Sequence, residues 1–249
     1  MSRVGPSRRE LLAGAGAGAV ILAGCDRFSA SSAPVRLTEK ANNRIQSLLF
    51  RTGAELHASA ADLTPTEAFP SGAYMISQNS SGDKVVPTMP NGWRLKIGGR
   101  VQRPLMVTLD ELMAMPRTEQ RIEHHCVEGW SAVAEWTGVR LSELAARAGA
   151  DDVDYVEFRS FDRGPDQVDQ SLVNYWSSWD RASAMHPQTM LAYGMNGKPL
   201  SPEHGAPIRL YGAVKLGYKN VKWLTEVNFL DHPSGGYWER AGYEWFAGT

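Results

Sequence analysis

The chain has 249 residues, 43% of them hydrophobic and 21% charged, which is the composition of an ordinary globular protein with ample core. A formal net charge of −1 supplies no basic face, so nucleic acid is excluded as an expected partner. Fold class and chemistry must therefore come from local features.

The amino terminus supplies the first feature. Ser7-Arg8-Arg9-Glu10 places a twin arginine before an uncharged run from Leu11 to Gly24. That run is too short to span a bilayer, which takes about 20 apolar residues, and its four glycines make a poor packed helix. Residues 1–24 read as a twin-arginine signal peptide, the alternative being a chance basic pair. Leu22-Ala23-Gly24-Cys25 resembles a bacterial lipoprotein processing box, with a plain small-residue cleavage site as the other possibility. On the first reading Cys25 carries the lipid anchor, and Asp26 after it implies retention at the inner membrane. Removal of 1–24 leaves 23 basic against 26 acidic side chains, a charge of −3. The expected destination is the periplasm, reached in the folded state.

Residues 25–60 read as a lipoprotein-type tether with a short helix over Ala41–Glu55, where Ile45, Leu48 and Leu49 have helical spacing. The remaining span, 61–249, reads as one domain. It opens on a Pro- and Gly-rich stretch to Asn91, long enough to suggest a binding segment. Trp93–Ile97 alternates as a strand, and Thr108–Leu112 carries a capped short helix. Arg121–Cys126 alternates again, which sets Cys126 at a strand end. Val139–Ala148 is predicted helical with Gly149 as its stop, and Tyr155–Arg159 is a further strand. Residues 161–185 are polar and aromatic without a clear period. Met190–Tyr193, a turn at Asn196-Gly197, and strand candidates Pro207–Tyr211, Val221–Leu224 and Val227–Leu230 complete the set. Short strands, a few helices and long loops predict a single α+β domain of mixed short sheets, monomeric.

Cys126 is the one cysteine left if Cys25 is lipidated. Three roles are open to it: a buried structural thiol, a nucleophile activated by a histidine, or a metal ligand. In a strand, His124 points to the same side as Cys126 and His125 to the other. A protein-only zinc or iron–sulfur site would need companion ligands at short spacing, and there is no C-x-x-C. A single thiolate suffices where an organic cofactor brings most of the coordination shell, as with molybdenum on a pterin dithiolene.

Three blocks carry a family resemblance: His125-Cys126-Val127-Glu128-Gly129-Trp130-Ser131; His186-Pro187-Gln188-Thr189 with Leu191–Gly197; and His204–Leu210 with Gly217–Leu224. Together they resemble the molybdopterin-binding core of the sulfite oxidase family, and within it the periplasmic methionine sulfoxide reductase catalytic subunits. The resemblance implies a molybdenum–molybdopterin cofactor ligated by Cys126. It implies pterin contacts from a segment near Tyr74–Asn79 and from Ser160. It also implies that His204 and Arg209 hold the anionic tail, and that Asn220, Val221 and Lys222 form a binding loop. Sulfite oxidases carry Gly-Asn and arginines after the cysteine; Val127-Glu128-Gly129 stands here instead, and Glu128 would repel a dianion. A small or sulfur-containing substrate, such as a sulfoxide, is expected. Glu128 would assist proton movement beside Cys126. Trp176, Trp179, Tyr237, Trp238 and Trp245 are candidates for a substrate funnel. The implied activity is oxygen-atom transfer, with electrons exchanged with a membrane haem protein or a c-type cytochrome. An exported Cys–His thiol enzyme and a non-catalytic lipoprotein binding module remain the alternatives.

Overall fold

A computed structural model describes Ala41, Ile45, Leu48 and residues 61–70 and 75–249. The expected signal peptide, Cys25 and nearly all of the expected tether lie outside these described residues. So does Tyr74. Of the Ala41–Glu55 helix, the described positions Ala41, Ile45 and Leu48 are helical and exposed. No helix among the described residues is long and apolar enough to cross a membrane.

In chain order the described elements begin with β1 (Leu95–Gly99), β2 (Leu105–Val107), α1 (Leu109–Met113), β3 (Arg117–His125), β4 (Ser131–Arg140) and α2 (Leu141–Ala148). They continue with β5 (Tyr155–Pro165), β6 (Leu172–Asp180), α3 (Arg181–Ala184) and β7 (Thr189–Met195). The last are β8 (Lys198–Pro199), β9 (Arg209–Gly212), β10 (Leu224–Leu230) and α4 (Tyr237–Arg240). The strands form two five-stranded sheets, one ordered β2-β1-β10-β5-β6 and the other β3-β4-β7-β8 with β9 also on β7. The first is mixed, because β1 and β10 run parallel and its other pairs antiparallel. Sheet dominates, and the helices are short.

Local chemistry explains the elements. Thr108 and Glu111 form a full capping box on α1. In α2, Leu141, Leu144, Ala145 and Ala148 face the core, and Gly149 ends the helix at φ 68°. The helix starts two residues later than expected because Val139 and Arg140 stay in β4, paired with β7. Asn196 and Gly197 turn the β7–β8 hairpin with φ 52° and 74°. The two last strand candidates merge into β10 only from Leu224, since Trp223 sits at φ 51° and breaks the extension. The featureless stretch 161–185 holds the end of β5, all of β6 and α3. Its run Trp176–Trp179 is buried at every position, so no alternation marks it.

The larger core joins α2 to the mixed sheet through Leu141, Leu144, Val156, Phe158, Val227 and Phe229. A second cluster gathers Phe69, Ile122, Trp136, Met190 and Tyr211 on the β3–β4–β7 sheet.

Candidate active site

β3 alternates so that Ile122 and His124 point inward while Glu123 and His125 point out. The strand ends at a tight loop into β4. Cys126 N–H donates to the Trp130 carbonyl (3.0 Å), Gly129 N–H donates to the Cys126 carbonyl (3.0 Å), and Gly129 adopts φ 85°. This loop holds Cys126 half-buried with Val127 and Glu128 exposed beside it. Glu128 Oε2 accepts from the Trp130 indole at 3.1 Å. Gly217 allows the approach of the opposite loop, since a Cβ there would lie 2.8 Å from His124 Nε2.

Cys126 opens into a cavity of about 340 Å³. One wall is β5, with Ser160 and Asp162 on the same strand face. Ser160 Oγ donates to the Trp223 carbonyl (3.1 Å) and accepts from Asp162 N–H (2.9 Å). The buried Asp162 carboxylate accepts from Ile76 N–H (2.8 Å), Ser77 N–H (2.8 Å) and Ser77 Oγ (2.6 Å). It thereby fastens the segment carrying Met75 and Ile76 to the cavity wall. Gly164 permits this docking, because a Cβ there would lie 2.0 Å from the Ile76 carbonyl oxygen.

The buried end is cationic. Arg209, 1% exposed, reaches only carbonyls at long range: His204 O (3.3 Å), Leu210 O (3.4 Å) and Asn220 O (3.5 Å). Its guanidinium also lies 4.9 Å from the Trp136 ring centre. Burial pushes it down to about 10. Lys222 donates to the Glu203 carbonyl at 3.0 Å and sits over the Trp223 ring at 4.1 Å. Burial, then the nearby Arg209 charge, lowers Lys222 well below the usual lysine range. Trp223 is held in its left-handed conformation by its indole bond to the Pro202 carbonyl (2.7 Å). Two buried cations at one end of the cavity make that end favourable for an anionic group.

Six sequence-predicted residues thus converge on one cavity: Cys126, Glu128, Ser160, Arg209, Asn220 and Lys222. The Asn220 side chain, however, is committed to the fold, accepting from Gly212 N–H (2.7 Å) and donating to the Lys215 and Leu216 carbonyls. Val221 packs in the core, and its carbonyl accepts from Leu210 N–H at 2.8 Å. His204 stands outside the lining. Its Nε2 must donate to the Thr66 carbonyl (2.8 Å), and burial lowers its pKa, so it is a neutral ring that braces Arg209 through its own carbonyl. Asn79 is an exposed turn residue accepting from Ser81 and Asp83 N–H, also away from the lining. Of the proposed funnel, Trp238 lines the cavity, while Trp176, Trp179 and Tyr237 are buried in packing.

Sequence reasoning missed Asp162, Trp223, Tyr218 and Tyr243 in the lining. Asp162 had a usable signal, lying two residues from Ser160 in a strand. Tyr218 and Trp223 stood within the third motif block without an assigned role, and Tyr243 had no signal.

The donor set fits a pterin-held molybdenum. No cluster of three or more His, Cys, Asp or Glu suited to a metal occurs among the described residues. Cys126 is a single soft donor, and Arg209 with Lys222 suits the phosphate of a cofactor that brings its own metal ligands.

The oxidoreductase molybdopterin binding domain matches residues 83–238. The Azospira oryzae protein YedZ1, provisionally named a protein-methionine-sulfoxide reductase subunit, is 36% identical over 236 residues, 93% of this chain and 83% of that protein. The protein-methionine-sulfoxide reductase catalytic subunit of Xanthomonas axonopodis pv. citri is 36% identical over 191 residues, 73% of this chain and 58% of its own length. The crystal structure of the sulfane dehydrogenase SoxCD from Paracoccus pantotrophus matches with a TM-score of 0.54 at 24% identity, over 72% of this chain and 46% of that one, a likeness of fold. The chain belongs to the oxidoreductase molybdopterin-binding domain family, the family of sulfite oxidase, and is a molybdopterin-dependent oxidoreductase.

Proposed function

We propose that this chain reduces sulfoxides, methionine sulfoxide foremost, in the periplasm after twin-arginine export, with a lipid anchor at Cys25. The observation that carries the reading is the β3–β4 loop at the cavity: the exposed carboxylate Glu128 beside Val127 and Trp130, with Trp238 and one exposed cation, Lys84, also in the lining. A carboxylate at the opening repels a sulfur oxyanion, whereas a neutral sulfoxide with apolar flanks meets apolar walls. The names of the methionine-sulfoxide reductase relatives agree with this substrate class.

When bound, the cofactor supplies two-electron oxygen-atom transfer. The net change is a sulfoxide plus two electrons and two protons giving a thioether and water. Cys126 provides the protein's thiolate to the metal. Arg209 and Lys222 would neutralise the cofactor's phosphate, and Ser160 with Asp162 would hold the cavity wall beside it. Glu128, oriented by the Trp130 indole, holds and passes a proton at its carboxylate oxygens. The electrons come from an external haem protein, either in the membrane or a soluble c-type cytochrome.

A Cys–His thiol enzyme fits poorly, because burial, outweighing the Glu128 and Val127 N–H groups that favour the thiolate, raises the Cys126 thiol above its ordinary range, the opposite of nucleophile activation. The test is sulfoxide-dependent oxidation of a reduced viologen by purified holoenzyme. Turnover with methionine sulfoxide that is lost in Cys126→Ser supports the reading. A cofactor-loaded enzyme that turns over sulfite but no sulfoxide overturns it.

A further inference from the structure

The segment following β10, from Asp231 to Thr249, is a strap laid across β6 and the loop before β10. Its residues 239–249 lie beyond the span matched to the family domain. Buried groups fasten it at several points. Lys219, fully buried, pairs with Glu239 and donates to the Ser178 carbonyl at 3.0 Å. Lys215 donates to the Phe246 carbonyl at 2.6 Å, pairs with Asp180 at 3.1 Å and lies 3.4 Å from the centre of the Phe246 ring. Tyr237 donates to the Pro165 carbonyl at 2.8 Å, and the Trp245 indole to Ser178 Oγ at 3.0 Å. Two buried lysines, each sharing its partners between β6 and this segment, are a costly arrangement that fixes its course.

What the strap presents at the cavity is aromatic. Trp238 and Tyr243 both line it, with ring centres 5.1 Å apart, and Tyr243 lies edge-on to Tyr218 at 5.3 Å. Tyr218 is itself tied to the strap by its hydroxyl bond to the Glu244 carbonyl. Tyr243 is 41% exposed although its ring packs on neighbours, so it stands at the rim. The same cavity receives Cys126, Val127 and Glu128 from the β3–β4 loop. A substrate approaching Cys126 therefore passes between a carboxylate-bearing loop and an aromatic wall.

We infer that Trp238 and Tyr243 on this C-terminal strap are specificity-determining residues, taking up the apolar side chain and backbone flanks of a peptide-borne methionine sulfoxide. The inference rests on the sulfoxide-reductase reading. Rings 5.1 Å apart and partly open to solvent suit a thioether chain, which gains from sulfur–aromatic contact as well as apolar burial. Dimethyl sulfoxide, lacking the flanks, has little to gain from the wall. The strap thus sets substrate choice, while the reacting groups come from elsewhere in the fold.

The test compares kcat/KM for a methionine-sulfoxide peptide and for dimethyl sulfoxide, using holoenzyme and a reduced viologen as donor. In Tyr243→Ala and in Trp238→Ala the peptide-to-dimethyl-sulfoxide ratio should fall by about tenfold, carried by KM for the peptide. Tyr243→Phe, which keeps the ring, should restore the ratio to within about twofold of wild type. Molybdenum content and thermal midpoint are measured on each variant. If Trp238→Ala fails to fold, the rim position Tyr243 decides alone. A ratio unchanged in metal-replete Tyr243→Ala overturns the inference and leaves the sulfoxide reading standing. Wild-type holoenzyme that reduces neither compound overturns that reading, and the inference with it.

Discussion

Arg209 offers a test in which stability and cofactor binding should move in opposite directions. Its guanidinium is fully buried, without a carboxylate partner among the described residues, and burial lowers its pKa from the ordinary arginine range to about 10. At about 1.4 kcal/mol per tenfold, the charged form is disfavoured in the fold by on the order of 3 kcal/mol. The sign follows from linkage: a base depressed on folding destabilises the native state wherever it is charged in both states. The penalty is therefore complete at neutral pH and relaxes only as pH rises above about 10 toward the ordinary arginine range. Arg209→Met removes the charge but leaves three carbonyls, at 3.3 to 3.5 Å, without their weak donor. Allowing roughly 1–2 kcal/mol for those, the cofactor-free variant should be more stable than cofactor-free wild type by about 1–2 kcal/mol. Urea unfolding of protein made in a cofactor-deficient host measures this. The same variant made in a competent host should retain at least about tenfold less pterin after gel filtration, since a charge-assisted phosphate contact is gone. Loss of apoprotein stability together with unchanged pterin content would refute the assignment of Arg209 to an anion.

Further expectations come from the cavity walls. Asp162→Asn should lower the thermal midpoint by the equivalent of about 2–3 kcal/mol, because an amide cannot accept all three bonds from Ile76 and Ser77; limited proteolysis should then cut near residue 77. Gly164→Ala should cost about 1–3 kcal/mol and loosen pterin retention, since the new Cβ would lie 2.0 Å from the Ile76 carbonyl oxygen. In cofactor-free protein, alkylation of Cys126 by iodoacetamide should be slow at pH 7 and rise only in the alkaline range, because burial disfavours the thiolate and the Glu128 charge adds to it. Glu128→Gln should accelerate that reaction at fixed pH, and cofactor loading should block it. Glu128→Gln holoenzyme should lose about 10²–10⁴-fold in kcat if the carboxylate moves a proton in the slow step.

The parts of the fold legible in the sequence were those with a local physical signature. β3 alternates because one face is buried, α1 has a capping box, α2 has a stripe and a glycine stop, and Asn196-Gly197 requires the left-handed turn it makes. β6 was not legible because its Trp176–Trp179 run is buried on both faces and shows no period. For the site, Cys126, Glu128, Ser160, Arg209 and Lys222 were found through motif blocks, and the fold gathers them around one cavity. Asp162 acts on residues 85 and 86 positions away in the chain, a coupling that a local pattern does not display. Tyr243 and Trp238 join the cavity only because the strap is tied down by Lys215 and Lys219, buried charges with no sequence signature. His204 shows the converse: the motif identifies the residue, but the bond to the Thr66 carbonyl turns its ring away from the role.

Cys126 is the one thiol in the cavity lining and is assigned as the protein's ligand to molybdenum. X-ray absorption at the molybdenum edge, on wild-type holoenzyme and on Cys126→Ser loaded in the same host, tests this directly. The prediction is one fewer short metal–sulfur distance in the variant, with the pterin sulfurs and the pterin content retained. An identical sulfur shell in the two proteins would contradict it.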